Sequence, residues 1–266
     1  MRAINFVKYQ ASGNDFVLID NRFKEYSFTE EQIQKICHRH FGIGSDGLIL
    51  LENSTEADFL MKFYNPDGSS DMMCGNGGRS IVAFAKSLSI IDKETSFIAP
   101  DGLHFAQIIS WENNHSLVKL SLKDVSEITL FDDGQYLNTG TSHFVREVED
   151  TSQINLKEEG KEIRYDKRFE KYKGTNANFI QVVEQGLLKI RTYERGVEDE
   201  TLSCGTGITA SAIAYAEKYK ISQSPITIQS KGGELKVFFE KTSQNTYSNI
   251  FLQSSVKKVF EGVITI

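Results

Sequence analysis

Two short stretches that repeat each other decide the fold: Cys74-Gly75-Asn76-Gly77-Gly78 with Arg79 to Lys86 after it, and Cys204-Gly205-Thr206-Gly207 with Ile208 to Ala216 after it. Each begins with Cys-Gly-x-Gly and continues as a segment that is apolar on most sides. A helix that is apolar all round is normally buried. The sequence therefore predicts two buried helices, each of which starts at a cysteine.

The surroundings of the two motifs also repeat in the same order. In each half a strand and a turn that is typical of hairpins follow the helix. They are Phe97 to Ala99 with Pro100-Asp101-Gly102 in the first half, and Ile226 to Gln229 with Lys231-Gly232-Gly233 in the second. A turn glycine follows the cysteine by 28 residues in both halves, at Gly102 and at Gly232. We interpret the matched order as an internal duplication rather than a coincidence of short motifs.

The duplication predicts an α+β fold of two pseudo-symmetric domains, each built around a central helix. We expect an N-terminal domain at 1–115 and a C-terminal domain at 116–256. A closing strand at 257–266 is expected to return to the first domain, so that the chain crosses twice. A further helix is expected between a capping box at Thr29 and a stop at Gly42, with Phe41 on its apolar face.

Bulk composition excludes several classes of protein. With 39% hydrophobic and 25% charged residues, the chain can bury a normal core and is not disordered. A net charge of −6 argues against a dedicated binder of nucleic acid or anionic membranes. The start MRAINFVKYQ has no signal-peptide pattern, and no stretch has the length of a membrane-spanning helix. We therefore expect a cytoplasmic protein whose three cysteines are free thiols.

Each motif cysteine stands where a helix begins. A helix N-terminus carries unpaired backbone N–H groups and a partial positive charge. This environment favours the thiolate, and the glycines let backbone donors approach an anion. Asp71 would oppose thiolate formation at Cys74, because it adds negative charge nearby. Each motif thus predicts a reactive thiol beside an anion cradle, although a single motif fits a helix cap with an incidental cysteine equally well.

The presence of two such motifs favours one reaction. If both helix N-termini converge on one carboxylate, Cys74 and Cys204 lie on opposite sides of it. Inverting a stereocentre by proton transfer needs a base on one face and an acid on the other, and a thiol can take either role. The N–H groups would stabilise the carbanion as an oxyanion hole does. The sequence predicts a racemase or epimerase with these two cysteines as acid and base.

Further polar residues are candidates for orienting an amino acid. Glu194 suits an ammonium group, and Arg195 suits a carboxylate through two hydrogen bonds; an ion pair at a strand end explains the same two residues. Four asparagines lie beside glycine or turn residues, where an amide can orient a substrate or simply form the turn. They are Asn14, Asn65, Asn76 and Asn176.

Taken together, these segments resemble the diaminopimelate epimerase family. In chain order they are Ser12-Gly13-Asn14-Asp15-Phe16, Tyr64-Asn65-Pro66-Asp67-Gly68, Met73-Cys74-Gly75-Asn76-Gly77-Gly78-Arg79, Asn176 to Phe179, Tyr193-Glu194-Arg195-Gly196 and Ser203-Cys204-Gly205-Thr206-Gly207. The resemblance spans nearly the whole chain. The wider superfamily of cofactor-independent racemases shares the paired cysteines, whereas the Gly-Asn-Asp-Phe and Tyr-Glu-Arg-Gly segments favour the diaminopimelate branch.

The resemblance implies reversible conversion of LL-2,6-diaminopimelate to the meso form, in lysine and peptidoglycan precursor synthesis. It implies a homodimer of chains whose two domains, each a mostly antiparallel sheet or barrel around its central helix, close over the substrate. The acid/base pair would be Cys74 and Cys204. The substrate-binding residues would be Gly75, Asn76, Gly205 and Thr206 around the reacting carboxylate, Glu194 at the amine, Arg195 near the distal carboxylate, and Asn14, Asn65 and Asn176 orienting the substrate.

One segment departs from the family pattern. Many members have Gly-Asn-Pro-His where this chain has Gly140-Thr141-Ser142-His143. His143 matches the active-site histidine of the family, and Thr141 replaces an asparagine that contacts substrate. The resemblance therefore implies supporting roles for both residues, with a distal recognition that differs from the common one.

Signals for cofactors and metals are weak. The segment 42–47 fits G-x-G-x-x-G, but it follows a helix and precedes a strand, the reverse of the dinucleotide context. Cys37-His38-Arg39-His40 has no second ligand pair that would complete a zinc site. No phosphate loop with a lysine points to pyridoxal phosphate. We expect no cofactor, no metal, and no nucleic-acid or membrane partner.

Three alternative functions stay open. The nearest is a racemase of another amino acid, such as proline or histidine. The second is a dithiol redox protein that cycles through a disulfide between Cys74 and Cys204. The third is a binding module for which both cysteines are dispensable.

Overall fold

The structure is a computed structural model and describes residues 3–70 and 73–266. Asp71, with its expected effect on Cys74, lies outside these residues. The helices are α1 (Glu30–Cys37), α2 (Gly75–Ser87), α3 (Leu156–Arg164) and α4 (Gly205–Lys218). The strands are β1 (Ala3–Ala11), β2 (Asn14–Asp20), β3 (Gly47–Glu52), β4 (Phe59–Tyr64), β5 (Glu94–Ala99), β6 (Gly102–Glu112), β7 (His115–Ser121), β8 (Ile128–Phe131), β9 (Gly134–Asn138), β10 (Ser142–Glu147), β11 (Asn176–Glu184), β12 (Leu187–Glu194), β13 (Asp199–Thr201), β14 (Ile226–Ser230), β15 (Gly233–Ser243) and β16 (Thr246–Thr265).

The chain divides into two compact units, one formed by residues up to 120 together with 254–266 and the other by residues 121–253. The last strand contributes to both, because β16 pairs first with β15 and then with β7 and β1. The expected boundaries were 115/116 and 256/257. The first unit extends further because β7 pairs with β6, whereas the sequence placed that strand in the second domain.

The first unit is a closed ring of eight strands around one helix. The order is β1-β2-β3-β4-β5-β6-β7-β16, and β16 pairs again with β1. Two neighbouring pairs, β2–β3 and β4–β5, are parallel, and the others are antiparallel. The central helix is α2, whose residues from Asn76 to Ala85 are all buried. Its apolar side chains pack on the inner faces of the strands, and this burial explains why the segment is apolar on most sides.

The second unit repeats this series of pairings. From β9 through β10, β11, β12, β14 and β15 to β16 the pairs are antiparallel, parallel, antiparallel, parallel, antiparallel and antiparallel. The same series runs from β1 to β7 in the first unit. Helix α4 takes the central position, with Gly207 to Ala216 buried. The predicted α+β fold with an internal duplication is confirmed.

Two local expectations were wrong. The helix after the capping box at Thr29 ends at Cys37, not near Gly42. The chain turns back there, with the N–H of Gly42 bonded to His38 O, and Phe41 is 81% exposed rather than part of the apolar face. The pairing of Gly102 with Gly232 was also wrong, because the residues that open β6 and β15 with similar positive φ are Gly102 (126°) and Gly233 (123°). In the ranges described, no helix is long and apolar enough to cross a membrane.

Candidate active site

Cys74 is the N-cap residue of α2, in extended conformation and partly buried. The first intrahelical bond runs from the N–H of Gly78 to the carbonyl of Cys74. The N–H groups that precede this bond lie outside the helical ladder and give the helix start its positive potential. The thiol donates to Oδ1 of Asn14 over 3.5 Å. The first cysteine therefore combines a helix N-terminus, which favours the thiolate, with an amide oxygen, which favours the thiol.

A second side chain of the helix contacts the same amide. Nδ2 of Asn76 donates to Oδ1 of Asn14 over 3.2 Å. Arg79, one turn further along α2, is fully buried and donates to Oδ1 of Asn76 over 2.6 Å. Burial lowers the pKa of Arg79 to about 10, although the nearby Cys74 opposes this shift. Of the expected site residues, Asn14, Cys74, Gly75 and Asn76 thus come together in the first unit.

Asn65 lies at the end of β4, in the turn 65–69. Its Nδ2 donates to Oγ of Ser69 over 2.9 Å, and its backbone N–H bonds to the carbonyl of Ser69. Oδ1 of Asp67 accepts from both the N–H and the hydroxyl of Ser69. These bonds show Asn65 in the turn-forming role that the sequence left open, and its contact with a substrate stays a prediction.

Cys204 is the N-cap residue of α4 and is 7% exposed. The first helical bond runs from the N–H of Ile208 to its carbonyl, as at the first cysteine. Burial raises the pKa of Glu194, and a hydrogen bond with the Cys204 side chain partly opposes the increase. A carboxylate with a raised pKa beside a thiol can accept the thiol proton more readily than an ordinary glutamate.

The second cysteine also contacts a buried network that contains a histidine. Sγ of Cys204 lies 3.5 Å from Oγ1 of Thr206, which lies 2.9 Å from Nε2 of His143. Nδ2 of Asn178 donates to the carbonyl of Phe144 over 3.0 Å, and the same nitrogen lies 3.1 Å from Nδ1 of His143. Because this nitrogen is a donor, Nδ1 must accept and the ring proton lies on Nε2.

His143 is therefore a neutral donor. Burial and, to a lesser degree, the positive charge of Arg195 together lower its pKa to about 3. Its Nε2–H donates to Oγ1 of Thr206 or of Thr141, each 2.9 Å away. A histidine held in this form supports the hydroxyl of Thr206 and does not take up a proton near neutral pH.

Asn176 and Arg195 lie beside this network. Nδ2 of Asn176 donates to the carbonyl of Ser142 over 2.7 Å and to Oγ1 of Thr141 over 3.3 Å, and its Oδ1 accepts the backbone N–H of Arg195 over 2.8 Å. Nη1 of Arg195 donates to the carbonyls of Tyr172 and Gly174. The side chain of Arg195 thus bonds to backbone oxygens, rather than to Glu194 as the ion-pair interpretation required.

The sequence did not single out three residues of these networks. Asn178 follows Asn176 by two positions and so lies on the same face of β11, a periodicity that the sequence shows. Asp46 accepts from Nδ2 of Asn14 over 2.6 Å, yet it lies in the loop 42–47 that was set aside as a false dinucleotide motif. Arg79 stands three residues after Asn76 in the predicted helix, and this spacing, at which helical side chains are neighbours, could have indicated the contact.

Comparison with known proteins shows the family of this chain. The family model described as diaminopimelate epimerase matches residues 6–120 and 135–256. A diaminopimelate epimerase of Flavobacterium psychrophilum is 48% identical over 258 residues, which cover 97% of this chain and 98% of that protein. The chain belongs to the diaminopimelate epimerase family. Another relative of that name, from Aquifex aeolicus, is 41% identical over 278 residues, with 97% of each chain covered.

Solved structures share the fold of this family member at low sequence identity. A phenazine biosynthesis protein of the PhzF family from Bacillus anthracis has a TM-score of 0.74 at 17% identity, with 100% of both chains covered. A probable proline racemase from Agrobacterium radiobacter has a TM-score of 0.68 at 13% identity, covering 99% of this chain and 92% of that one. These similarities show a common fold, and they agree with the α+β architecture described above.

Proposed function

We propose that the protein catalyses the reversible epimerisation of LL-2,6-diaminopimelate to meso-diaminopimelate by a two-thiol acid/base mechanism. The observation that supports this most is the matched position of the two cysteines. Each is the N-cap of the helix at the centre of its own unit, with φ and ψ of −105° and 118° at Cys74 and −101° and 107° at Cys204. Family membership supplies the substrate class.

In the proposed reaction one cysteine, as thiolate, removes the α-proton of the substrate. The other cysteine, as thiol, gives its proton to the opposite face of the same carbon. The electron pair of the broken C–H bond passes into the adjacent carboxylate, whose charge the N–H groups at the two helix starts stabilise. Exchange of the two roles accounts for the reverse direction. Glu194 accepts a hydrogen bond from the side chain of Cys204, and this contact would hold the second thiol beside the group that binds the amine.

The remaining site residues are proposed to hold the substrate. Gly75, Asn76, Gly205 and Thr206 would bind the reacting carboxylate, and Glu194 the amine. Asn14, Asn65 and Asn176 would orient the substrate, and Arg195 would meet the distal carboxylate. Within the part of the chain described, Arg195 uses only Nη1 in hydrogen bonds to the protein, so Nη2 and Nε remain for that contact. His143 and Thr141 would support Thr206.

The test is conversion of LL-diaminopimelate by purified protein under reducing conditions. We expect meso product, and we expect Cys74→Ser and Cys204→Ser to lower kcat by at least about a hundredfold while substrate still binds, because each removes a proton-transfer group. Cys37→Ser is the matched control, since Cys37 is the last residue of α1 and is buried in the core, and should keep full activity. Activity on proline or histidine alone would favour the racemase alternative, and activity confined to the oxidised protein would favour the redox one.

We also propose that the protein acts in the cytoplasm, in lysine and peptidoglycan precursor synthesis, and as a homodimer. Exposed apolar side chains on β6, at Leu103, Phe105 and Ile109, support an interface. Light scattering should give twice the chain mass of 30.0 kDa. A single-chain mass at micromolar concentration would contradict the dimer and leave the catalytic proposal unaffected.

A further inference from the structure

Four polar side chains form one continuous line of hydrogen bonds beside Cys74. Nδ2 of Asn14 donates to Oδ2 of Asp46 over 2.6 Å, and Oδ1 of Asn14 accepts from Nδ2 of Asn76 over 3.2 Å. Oδ1 of Asn76 in turn accepts from Nη2 of Arg79 over 2.6 Å. The two inner members are amides, and the two ends are a carboxylate and a guanidinium. Because all four lie in the first unit, the line is a property of that unit alone.

The ends of the line have fixed polarity, whereas its amides do not. A carboxylate only accepts hydrogen bonds and a guanidinium only donates them, but an amide can present either its oxygen or its NH₂ group. The acceptor Asp46 requires that Asn14 turn its NH₂ group toward it, and the donor Arg79 requires that Asn76 turn its oxygen toward it. These two requirements are compatible, because they leave the oxygen of Asn14 facing the NH₂ group of Asn76. Reversing either amide would oppose like groups at two junctions.

Both ends are themselves held in place. Oδ1 of Asp46 accepts from Nη2 of Arg39 over 2.5 Å, while its Oδ2 also accepts the backbone N–H of Asp15. Arg79 is fully buried, and its Nη1 donates to the carbonyl of Gly75. Among residues 3–70 and 73–266, Nε of Arg79 has no hydrogen-bond partner. Burial of a guanidinium costs stability unless its donors are paired, and Oδ1 of Asn76 is the side-chain oxygen to which Arg79 donates.

We propose that Asp46 and Arg79 are positioning residues that together lock the amide of Asn14, so that its oxygen, and not its NH₂ group, faces the sulfur of Cys74. The locked oxygen accepts the S–H of Cys74 over 3.5 Å, and this stabilises the thiol form that a proton donor requires. A reversed amide would put a donor there and favour the thiolate. The proposal deepens the two-thiol mechanism and rests on it.

The test replaces each end of the line by an amide, which has no fixed polarity, in Asp46→Asn and Arg79→Gln. Either single variant retains one end that sets the orientation, so kcat should fall by about threefold at most. The double variant should lose at least about tenfold more than the product of the two single effects, as coupled neighbours in one network do. Effects that simply multiply would overturn the proposal.

Arg79→Lys is the matched control, because lysine is also only a donor. Combined with Asp46→Asn it should give the product of the single effects and no more. If the loss of kcat exceeds the product of the single effects equally in the lysine and the glutamine double variants, the coupling comes from packing or charge, and the proposed lock is wrong. Synergy in the lysine pair would contradict the proposal even if Arg79→Gln does not fold. Asp20→Asn, which removes a carboxylate paired with Arg22, should leave kcat unchanged.

A second readout does not depend on turnover. Mass spectrometry of the Cys74 peptide measures the initial rate at which iodoacetamide alkylates this thiol. Because a reversed amide favours the thiolate, this rate should rise in the double variant by more than the product of the two single effects. If the wild-type protein does not epimerise diaminopimelate, the proposed function fails, yet the alkylation rates still test the lock. If the wild type is active and both readouts are free of coupling, the lock fails and the proposed function stands.

Discussion

The two Cys-Gly-x-Gly motifs differ in what surrounds their last glycine, and this difference makes a sharp prediction. A Cβ added to Gly207 would lie 2.4 Å from Oδ1 of Asn178, whereas one added to Gly77 would meet only side-chain ends, Ile49 Cδ1 at 3.1 Å and Met61 Cε at 3.2 Å. We expect Gly207→Ala to lower the free energy of unfolding and Gly77→Ala to leave it nearly unchanged.

The magnitude follows from the bonds of Asn178. Its amide binds the carbonyl of Phe144, Nδ1 of His143 and the hydroxyl of Thr192, so it cannot move away from a new methyl group without losing partners. A buried polar group left unpaired costs about 1–3 kcal/mol, and the better helix propensity of alanine offsets at most about 1 kcal/mol. The net loss for Gly207→Ala should be about 1–2 kcal/mol, against about ±0.5 kcal/mol for Gly77→Ala.

Urea unfolding followed by circular dichroism measures both variants beside the wild type. An unchanged m-value with a lower midpoint would identify a pure stability effect. A Gly207→Ala midpoint at or above that of the wild type, or an equal loss in the two variants, would refute the role assigned to Asn178.

Three further predictions concern titration and support. His143, with its pKa lowered to about 3 chiefly by burial, should show a proton on Nε2 in nitrogen NMR from pH 5 to pH 8, and an imidazolium signal near pH 6 would contradict this. Hydrogen bonds from Arg168 lower the pKa of Asp133; burial opposes this shift, and hydrogen bonds from Arg146 add to it, so that the pKa falls from 3.8 to about 2. The ionised Asp133 therefore stabilises the fold above about pH 4, and this contribution is lost as the pH falls through 2. In acid unfolding, the stability difference between wild type and Asp133→Asn should shrink over that interval. Thr206→Val should lower kcat by about tenfold or more, since it removes the hydroxyl between His143 and the second thiol, and unchanged kcat would exclude this support.

Features that depend on neighbours along the chain could be predicted from the sequence. The capping box at Thr29 is formed by residues three apart, and its hydrogen bonds are present as expected. The hairpin turns after β5 and β14 depend on local turn chemistry, and the two central helices on an unbroken apolar run. The end of α1 was mispredicted because Phe41 continues the helical period, although the chain has already turned back at His38.

Features that depend on distant contacts could not be predicted. Asp46 meets Asn14 only because β2 and β3 pair in parallel, which brings the loop before β3 to the start of β2. Residues 128–147 contain three strands that the sequence did not reveal, since their alternation of buried and exposed positions is weak. The expected cysteines were found because a repeated motif shows in one sequence, whereas the residues that hold them in place belong to tertiary structure.

Isotope exchange during a single conversion in deuterated water tests the two-thiol mechanism most directly. With a separate acid on each face of the α-carbon, deuterium should enter the product epimer from the first turnover, while substrate recovered early in the reaction stays unlabelled. Transfer of the original proton to the product, or deuterium in recovered substrate as early as in product, would mean that one group serves both faces, and the mechanism would be wrong.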